Sequence, residues 1–288
     1  MITNRKDSKM ERAETKFPIT LYSSKGEGII VNSHISENAM EIVEVVSGTL
    51  KVQVGTDFAE ATVGDFVCVP PRLMFRAECE GTGAVRGIIF DMSIIEANTD
   101  NFEGEILYMF DVRSRSNITL FNESAPAHSA LKKCMNECFD EYSAKDVCYK
   151  LPIRANIYIM MTALLRTFCG SKDERDRMIY HNVLRLRPAV DYIKKNYFEK
   201  TYIEKLSDMI NVSPDYFTKM FKDSIGKTPI DYINAMRINH AMYSLACTDR
   251  SVAEISEETG FCNPNYFHKI FKQYTDKSPL AYRKSVKQ

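Results

Sequence analysis

The sequence Pro-Asp-Tyr-Phe-Thr-Lys-Met-Phe-Lys-Asp-Ser-Ile-Gly-Lys-Thr-Pro-Ile-Asp-Tyr, from Pro214 to Tyr232, recurs in modified form fifty positions later. The second copy is Pro-Asn-Tyr-Phe-His-Lys-Ile-Phe-Lys-Gln-Tyr-Thr-Asp-Lys-Ser-Pro-Leu-Ala-Tyr, from Pro264 to Tyr282. Nine of the nineteen positions are identical, where ordinary residue frequencies give roughly one. Repetition of this kind indicates one structural unit that is used twice.

Each copy follows a short helical pattern and a turn. Thr201–Glu204 and Ser251–Glu254 both fit the capping box, a hydroxyl residue followed three positions later by Glu. Asn211 and Gly260 occupy the two turns, and both residue types tolerate a positive φ. A cap residue and a proline then begin a second helix, because proline at the first helical position loses no hydrogen bond. Each copy therefore predicts a helix-turn-helix.

The second helix of each unit, here called the recognition helix, has an apolar face and a polar face. Polar residues recur at positions i, i+3, i+4 and i+7, so that they form one continuous stripe along the helix. A major groove of DNA admits such a helix, and side chains of these types read its base edges. A solvated surface or a protein-binding surface are the alternatives. The polar stripe consists of Asp215, Thr218, Lys219 and Lys222 in the first unit and Asn265, His268, Lys269 and Lys272 in the second.

A bridging helix is predicted between the two units, from Thr228-Pro229 to about Cys247. A helix of close to 20 residues is roughly 30 Å long. This length is comparable to one turn of B-DNA, roughly 34 Å. Two recognition helices with this spacing fit successive major grooves on one side of a duplex.

The residues from Arg237 to Arg283 resemble the signature of AraC-type transcription regulators, and the resemblance extends from near Leu184 to the C-terminus. It implies a bacterial, cytoplasmic, DNA-binding protein. In the family, the second, fifth and sixth residues of each recognition helix supply most base contacts. The signature residues are Val252–Ser256, Gly260-Phe261, Tyr266–Lys272, Ser278-Pro279 and Tyr282-Arg283.

The resemblance assigns base contacts to six residues of the polar stripes: Asp215, Thr218, Lys219, Asn265, His268 and Lys269. Asp215 has two interpretations, as an acceptor from a cytosine amino group or as an anion that favours the positive end of its helix. Phosphate contacts, which supply salt-sensitive affinity and register, are expected from Lys222, Lys272, Thr201, Ser251, Lys227 and Lys277.

The charge of the chain is segregated although its net charge is zero. Residues 181–288 carry a net charge of +5 and residues 1–180 a net charge of −5, so the basic part is the part with the repeat. Eight cysteines without a CxxC pair indicate reduced thiols in a cytoplasmic protein. Met1 to Lys16 lacks an apolar signal core and is expected to be disordered, and no apolar stretch approaches the roughly 20 residues of a membrane span.

The segment from Ile19 to Phe90 changes to a pattern of short strands broken by Gly and Pro, which indicates a barrel or sandwich. Glu41–Gly48, Val63–Val67 and Pro70-Pro71 resemble the cupin-like barrel of AraC-type regulators that bind small effectors. The residues proposed to line an effector pocket are His34, Glu41, Glu44 and Arg72. The alternative is that these four residues lie on the rim or surface of the barrel.

A catalytic cupin metalloenzyme is the competing hypothesis for this barrel. Its metal site requires a His-x-His pair, a later Glu and a further His, but only His34 precedes Glu41, and Phe75 stands near the position of the further His. Three or four converging ligands are needed to hold a catalytic metal. We therefore expect neither an enzyme nor a metal or other cofactor.

Two amphipathic helices are predicted after the barrel, one from Leu131 to Tyr142 and one from Ile153 to Phe168. They resemble the dimerisation helices of many family members, although packing within one monomer explains the same pattern. Cys134 and Cys138, one helical turn apart, are interpreted as core residues, with a metal or redox sensor as the alternative.

The sequence thus predicts an α+β protein in four parts. These are a disordered N-terminus (1–16), a cupin-like effector-binding barrel (17–125), a helical dimerisation and linker region (126–176), and an all-α double helix-turn-helix domain (177–288). The expected partners are double-stranded DNA, a small-molecule effector, a second copy of the chain and RNA polymerase.

Overall fold

The structure, a computed structural model, describes residues 18–96, 119–169 and 174–287, together with four isolated positions between the first two ranges. The predicted disordered segment 1–16 lies outside the described residues. The barrel and the two helices after it form one compact unit, and the helices from Glu174 onward form another.

The first unit contains an antiparallel sheet, which has seven strands in the described part of the chain and closes almost into a barrel. The strand order is β4-β3-β6-β2-β5-β7, and β1 pairs with β6 outside this path. The strands are β1 (Ile19–His34), β2 (Ala39–Ser47), β3 (Leu50–Val54), β4 (Asp57–Ala61), β5 (Phe66–Val69), β6 (Phe75–Asp91) and β7 (Thr119–Phe121).

Two of these strands are much longer than the sequence pattern suggests. β1 has 16 residues and β6 has 17, and β6 continues through Gly81–Gly83, although short strands broken by Gly were expected. The two strands pair along most of their length, with a register shift between Glu27 and Gly28. Glycine inside a strand often marks a bulge or bend, so here the glycines bend a continuous ribbon instead of ending it.

The alternating side chains of β2 contribute to two different apolar clusters. Val43 and Val45 belong to the apolar cluster inside the barrel, whereas Met40 and Ile42 belong to a second cluster that includes the helices after the barrel. Successive side chains of a strand point to opposite faces. Both faces of β2 are therefore buried.

Within the continuous ranges that the structure describes, the helices of the first unit are α1 (Ser93–Glu96), α2 (His128–Ala144) and α3 (Lys150–Cys169). The predicted amphipathic pair corresponds to α2 and α3, which pack against each other. Cys134 and Cys138 are buried in the cluster beneath the barrel, as the core interpretation requires. Burial raises the pKa of the Cys138 thiol to about 12, and a protonated thiol is a weak nucleophile and metal ligand.

The second unit consists of helices. They are α4 (Glu174–Asn196), α5 (Ile203–Asp208), α6 (Pro214–Ile225), α7 (Pro229–Cys247), α8 (Val252–Glu258), α9 (Pro264–Thr275) and α10 (Pro279–Lys287). α5 and α6 form the first helix-turn-helix, α7 is the bridging helix, and α8 and α9 form the second helix-turn-helix. α4 begins within the segment predicted to be a linker. None of the helices within the described ranges is long and apolar enough to cross a membrane.

The predicted turns and caps form with one exception. Asn211 and Gly260 have φ values of 55° and 86°, and Ser251 and Glu254 form the complete capping box of α8. The capping box at Thr201 was wrong, because α5 begins after Tyr202, whose side chain makes no cap hydrogen bond. Thr201 and Tyr202 are not helical, and the Thr201 hydroxyl donates to the Glu199 carbonyl at 3.5 Å instead of capping α5.

Candidate nucleic-acid interface

The two recognition helices, α6 and α9, rest on equivalent aromatic cores. In the first helix-turn-helix the ring of Phe221 packs against Phe217 and Tyr232, with both centroid distances at 5.6 Å. In the second helix-turn-helix Phe271 makes the corresponding contacts with Phe267 and Tyr282, at 5.5 and 5.6 Å. The buried aromatic residues of the repeat therefore fix the rotation of each recognition helix about its axis.

The ends of both recognition helices are also defined by equivalent devices. The Ser213 hydroxyl accepts from the Tyr216 amide at 3.3 Å, and the Asn263 side chain accepts from the Asn265 amide at 2.8 Å. At the other end, Gly226 and Asp276 adopt left-handed conformations that stop the helices. Asp is one of the few non-glycine residues that tolerate this conformation.

The polar stripes face solvent in both units. Thr218 is partly buried, and the other seven residues of the two stripes are exposed. Lys219 and Lys222 in the first unit match Lys269 and Lys272 in the second. Each stripe therefore offers two cations and further hydrogen-bonding groups on one accessible helix face, which is the surface that a major groove requires.

The predicted phosphate-contacting residues have different surroundings. Ser251 is exposed, but its hydroxyl already accepts from the Glu254 amide at 3.2 Å. Lys277 is exposed and its ammonium group donates to the Ser285 hydroxyl at 3.1 Å. Thr201 and Lys227 are partly buried. Lys222 and Lys272, at the ends of the polar stripes, are the more accessible cations.

The predicted effector residues do not form one cluster. Glu41 is buried, and its Oε2 lies 2.7 Å from Nε2 of His34. The Tyr22 hydroxyl donates to Oε1 of the same carboxylate. Tyr22 was not predicted, because its sequence neighbours give no sign that β1 brings it to Glu41. These three residues form a polar group beside the apolar interior of the barrel, where Tyr22 also belongs to the buried cluster.

Glu44 and Arg72 lie elsewhere. Glu44 is three residues from Glu41 and so points to the opposite face of β2. There its carboxylate accepts from Nε of Arg86 at 2.6 Å and from the Lys132 ammonium group of α2. Arg72 is exposed and pairs with Glu37 at 3.6 Å. Glu44 therefore joins the barrel to α2, and Arg72 lies on the surface.

Metal-binding side chains do not cluster in the part of the chain that the structure describes: no group of three or more His, Cys, Asp and Glu residues has the arrangement needed to hold an ion. His128, the first residue of α2, has its Nε2 2.9 Å from the Gly64 carbonyl oxygen. Its ring also packs against Phe66 at 5.5 Å. His128 thus fastens α2 to the barrel.

The chain has a small β-barrel followed by two helix-turn-helix units on one bridging helix. This architecture defines the class of proteins that combine a β-barrel with a double helix-turn-helix. Residues 206–285 match a family model described as a helix-turn-helix domain. This match covers α5 to α10, the segment that carries the AraC-type signature. The match supports the resemblance to AraC-type regulators that the signature residues indicate.

The chain is also similar to transcription regulators of known sequence. An uncharacterised helix-turn-helix-type transcriptional regulator of Staphylococcus aureus strain COL is 20% identical over 224 residues, which cover 78% of this chain and 28% of that protein. The lactose operon transcription activator of Staphylococcus xylosus is 24% identical over 127 residues, which cover 44% of this chain and 43% of that protein. The chain thus spans less than half the length of these curated relatives.

The fold is similar to that of ToxT from Vibrio cholerae, with a TM-score of 0.50 and 13% sequence identity. The alignment covers 94% of this chain and all of the ToxT chain. At this level of identity the likeness concerns the fold, and it extends to both the barrel and the helical unit.

Proposed function

We propose that the chain is a sequence-specific, DNA-binding transcription regulator controlled by a small molecule that binds its barrel. The observation that carries the proposal is the duplication of an exposed polar stripe on two recognition helices whose buried faces are equivalent. A solvated surface does not require the same polar stripe on two helices, whereas binding to two successive major grooves does.

In this mechanism phosphate and base contacts have separate roles. Lys222 and Lys272, with Lys227, Lys277, Thr201 and Ser251 near them, neutralise or hydrogen-bond phosphates and set the register of the protein on DNA. Base edges are read by Asp215, Thr218 and Lys219 in one groove and by Asn265, His268 and Lys269 in the next.

The effector is proposed to bind beside the buried polar group of Tyr22, His34 and Glu41. A few placed polar groups next to an apolar wall are typical of small-molecule sites. The Glu44 ion pairs then provide a physical connection from the same strand to α2. Effector binding changes regulation only if the effector binds two arrangements of the protein with different affinity.

A second copy of the chain is the proposed partner of α3. Leu151, Tyr158 and Ile159 are 60%, 37% and 51% exposed, and positions i, i+7 and i+8 share one broad face of a helix. Exposed apolar residues that adjoin each other often mark an interaction surface. Sedimentation of wild type and Ile159→Glu tests this: a dimer that dissociates in the variant supports it, and equal masses contradict it. RNA polymerase is proposed as a further partner during activation.

The experiment that tests the DNA-binding function is selection from a random pool of duplexes with the purified protein at about physiological salt, with and without small-molecule extracts of the source cells. We expect an enriched motif with two contact regions about one helical turn apart. Affinity for the motif should fall steeply with salt, because phosphate contacts release counterions.

Three outcomes would each contradict part of the proposal. Absence of any enriched motif under both conditions would remove DNA as the partner. Binding without a salt slope would favour the alternative in which the polar stripes bind a protein. Stoichiometric metal in the purified protein would revive the metalloenzyme hypothesis for the barrel.

A further inference from the structure

The guanidinium group of Arg237 lies at the junction of the two helix-turn-helix units. Its Nε donates to the Tyr197 carbonyl at 2.6 Å, and its Nη2 donates to the Glu199 carbonyl at 2.8 Å. Both carbonyls belong to the segment that connects α4 to α5. The planar fork of arginine suits two acceptors at fixed positions, so the middle of α7 is fastened to the start of the first unit.

The same side chain reaches the second unit. The Arg237 guanidinium lies over the ring of Phe261, 5.5 Å from its centroid, and Phe261 packs against Phe267 of the second recognition helix at 5.2 Å. A desolvated cation over an aromatic face is a favourable contact. Arg237 is partly buried, and this burial lowers the pKa of its guanidinium group.

Further contacts connect the same elements. The backbone of Phe198 lies directly against Gly260 in the turn of the second unit. The Tyr197 hydroxyl lies 2.9 Å from Nδ1 of His240, one helical turn beyond Arg237 on α7. On α7, Asn234 donates to the Tyr266 hydroxyl of the second recognition helix at 3.4 Å. The two units are therefore joined through side chains and backbone as well as through the bridging helix.

We infer that Arg237 is a positioning residue that holds the two recognition helices at one separation, so that the protein selects the distance between its two contact regions on DNA as well as their sequences. This inference rests on the proposed DNA-binding function. Neither the polar stripes nor the family signature assigns this role to Arg237, which does not belong to a recognition helix.

The physical argument concerns what happens when the two contact regions are moved apart. One inserted base pair shifts the second region by about 3.4 Å and rotates it by roughly 35° around the duplex. A rigid pair of units cannot follow this change and loses the contacts of one recognition helix. A pair joined only by the bridging helix adjusts more easily and loses less.

The test uses the full chain, duplexes carrying the selected motif, and the same motif with one base pair inserted between the contact regions. We expect wild type to lose about tenfold or more in affinity on insertion, because the loss of a single base contact already costs about tenfold. In Arg237→Ala the loss should shrink to about threefold or less, while affinity for the optimal motif also falls.

Two controls separate positioning from folding and from charge. Arg187→Ala removes the same charge from an exposed position of α4 that pairs with Asp191, and it should keep the wild-type insertion penalty. A duplex with only one contact region reports on a single unit, and Arg237→Ala should bind it within about twofold of wild type.

Each remaining outcome overturns the inference. An unchanged insertion penalty in Arg237→Ala means that Arg237 does not set the separation. Equal losses on the one-region and two-region duplexes mean that Arg237 only maintains the fold of a unit. If wild type enriches no motif at all, the proposed function itself fails, and this result is distinguishable from the other two.

Discussion

Gly260 and the backbone of Phe198 are in such close contact that a β-carbon at position 260 would come within 2.2 Å of the Phe198 carbonyl oxygen. Gly260 also has a φ of 86°. Two independent constraints therefore require glycine at this turn: the left-handed conformation and the approach of a neighbouring chain segment.

We predict that Gly260→Ala lowers the free energy of unfolding by about 3 kcal/mol or more, because the backbone must shift as well as strain. Gly226→Ala is the matched control. Gly226 has a φ of 89° but open space where a β-carbon would lie, so only the conformational cost of about 1–2 kcal/mol applies. Urea unfolding of both variants checks this, and equal losses would contradict the role of the Phe198 contact.

The capping box of α8 gives a second prediction. Ser251→Ala should lower the free energy of unfolding by about 1 kcal/mol, because the Glu254 amide loses its acceptor. Thr201→Ala should change it by less than about 0.5 kcal/mol, since Thr201 caps no helix. Chemical unfolding without DNA measures both. A larger effect at Thr201 than at Ser251 would show that the caps are assigned wrongly.

The pH dependence of this cap has a definite sign. Hydrogen bonds from Ser251 lower the pKa of Glu254 below its ordinary value of 4.5. A carboxylate whose pKa is lower in the folded than in the unfolded state stabilises the fold at pH values above its unfolded-state pKa. This stabilisation is lost as the pH falls through the folded-state pKa. The difference in stability between wild type and Ser251→Ala should therefore shrink below about pH 4.5. A difference that grows on acidification would contradict this.

Substitutions of the lysines in the polar stripes should have two different effects on DNA binding. Lys219→Ala and Lys269→Ala are each expected to cost about 1–3 kcal/mol on the selected motif and to relax the preference at one base position. Lys222→Ala should weaken binding to all sequences alike and reduce the salt slope by about one. Titrations on the motif and on scrambled duplexes at several salt concentrations distinguish the two. Unchanged base preference in the first pair would show that these lysines do not read bases.

The Glu44 ion pairs should contribute more to stability than a surface pair. Glu44→Gln leaves Arg86 and Lys132 without their carboxylate, and we expect a loss of about 2 kcal/mol, since both cations are partly exposed. Glu80→Gln breaks the exposed pair with Lys51 and should cause no measurable change. Thermal unfolding of the two variants provides the comparison. Equal stability would mean that Glu44 does not hold α2 to the barrel.

Much of the helical unit could be predicted from sequence because its determinants are local. Cap residues, a proline and a left-handed turn residue define each recognition helix, and Asn211 and Asp276 have the positive φ expected of them. The polar stripe follows from helical periodicity alone. The error at Thr201 arose because a capping-box pattern describes four residues and takes no account of the chain segment that precedes them.

The barrel and the junctions depend on contacts between distant residues, which a single sequence does not reveal. Tyr22 meets Glu41 because β1 folds across the sheet, and no local pattern marks this pair. Gly81–Gly83 was expected to break a strand, but β6 continues through it. Arg237 falls in a bridging helix whose hydrophobic and polar residues give no simple pattern, so its contacts with Tyr197 and Glu199 became apparent only from the folded chain.

The two polar stripes differ in a way that gives the molecule a direction. Lysines recur at equivalent positions, but Asp215 and Thr218 are replaced by Asn265 and His268. A binding site read by these stripes would have distinguishable left and right ends, unlike a palindrome. One chain bound to it would point toward one neighbouring gene and away from the other, so inversion of the site would change which promoter lies ahead of the protein.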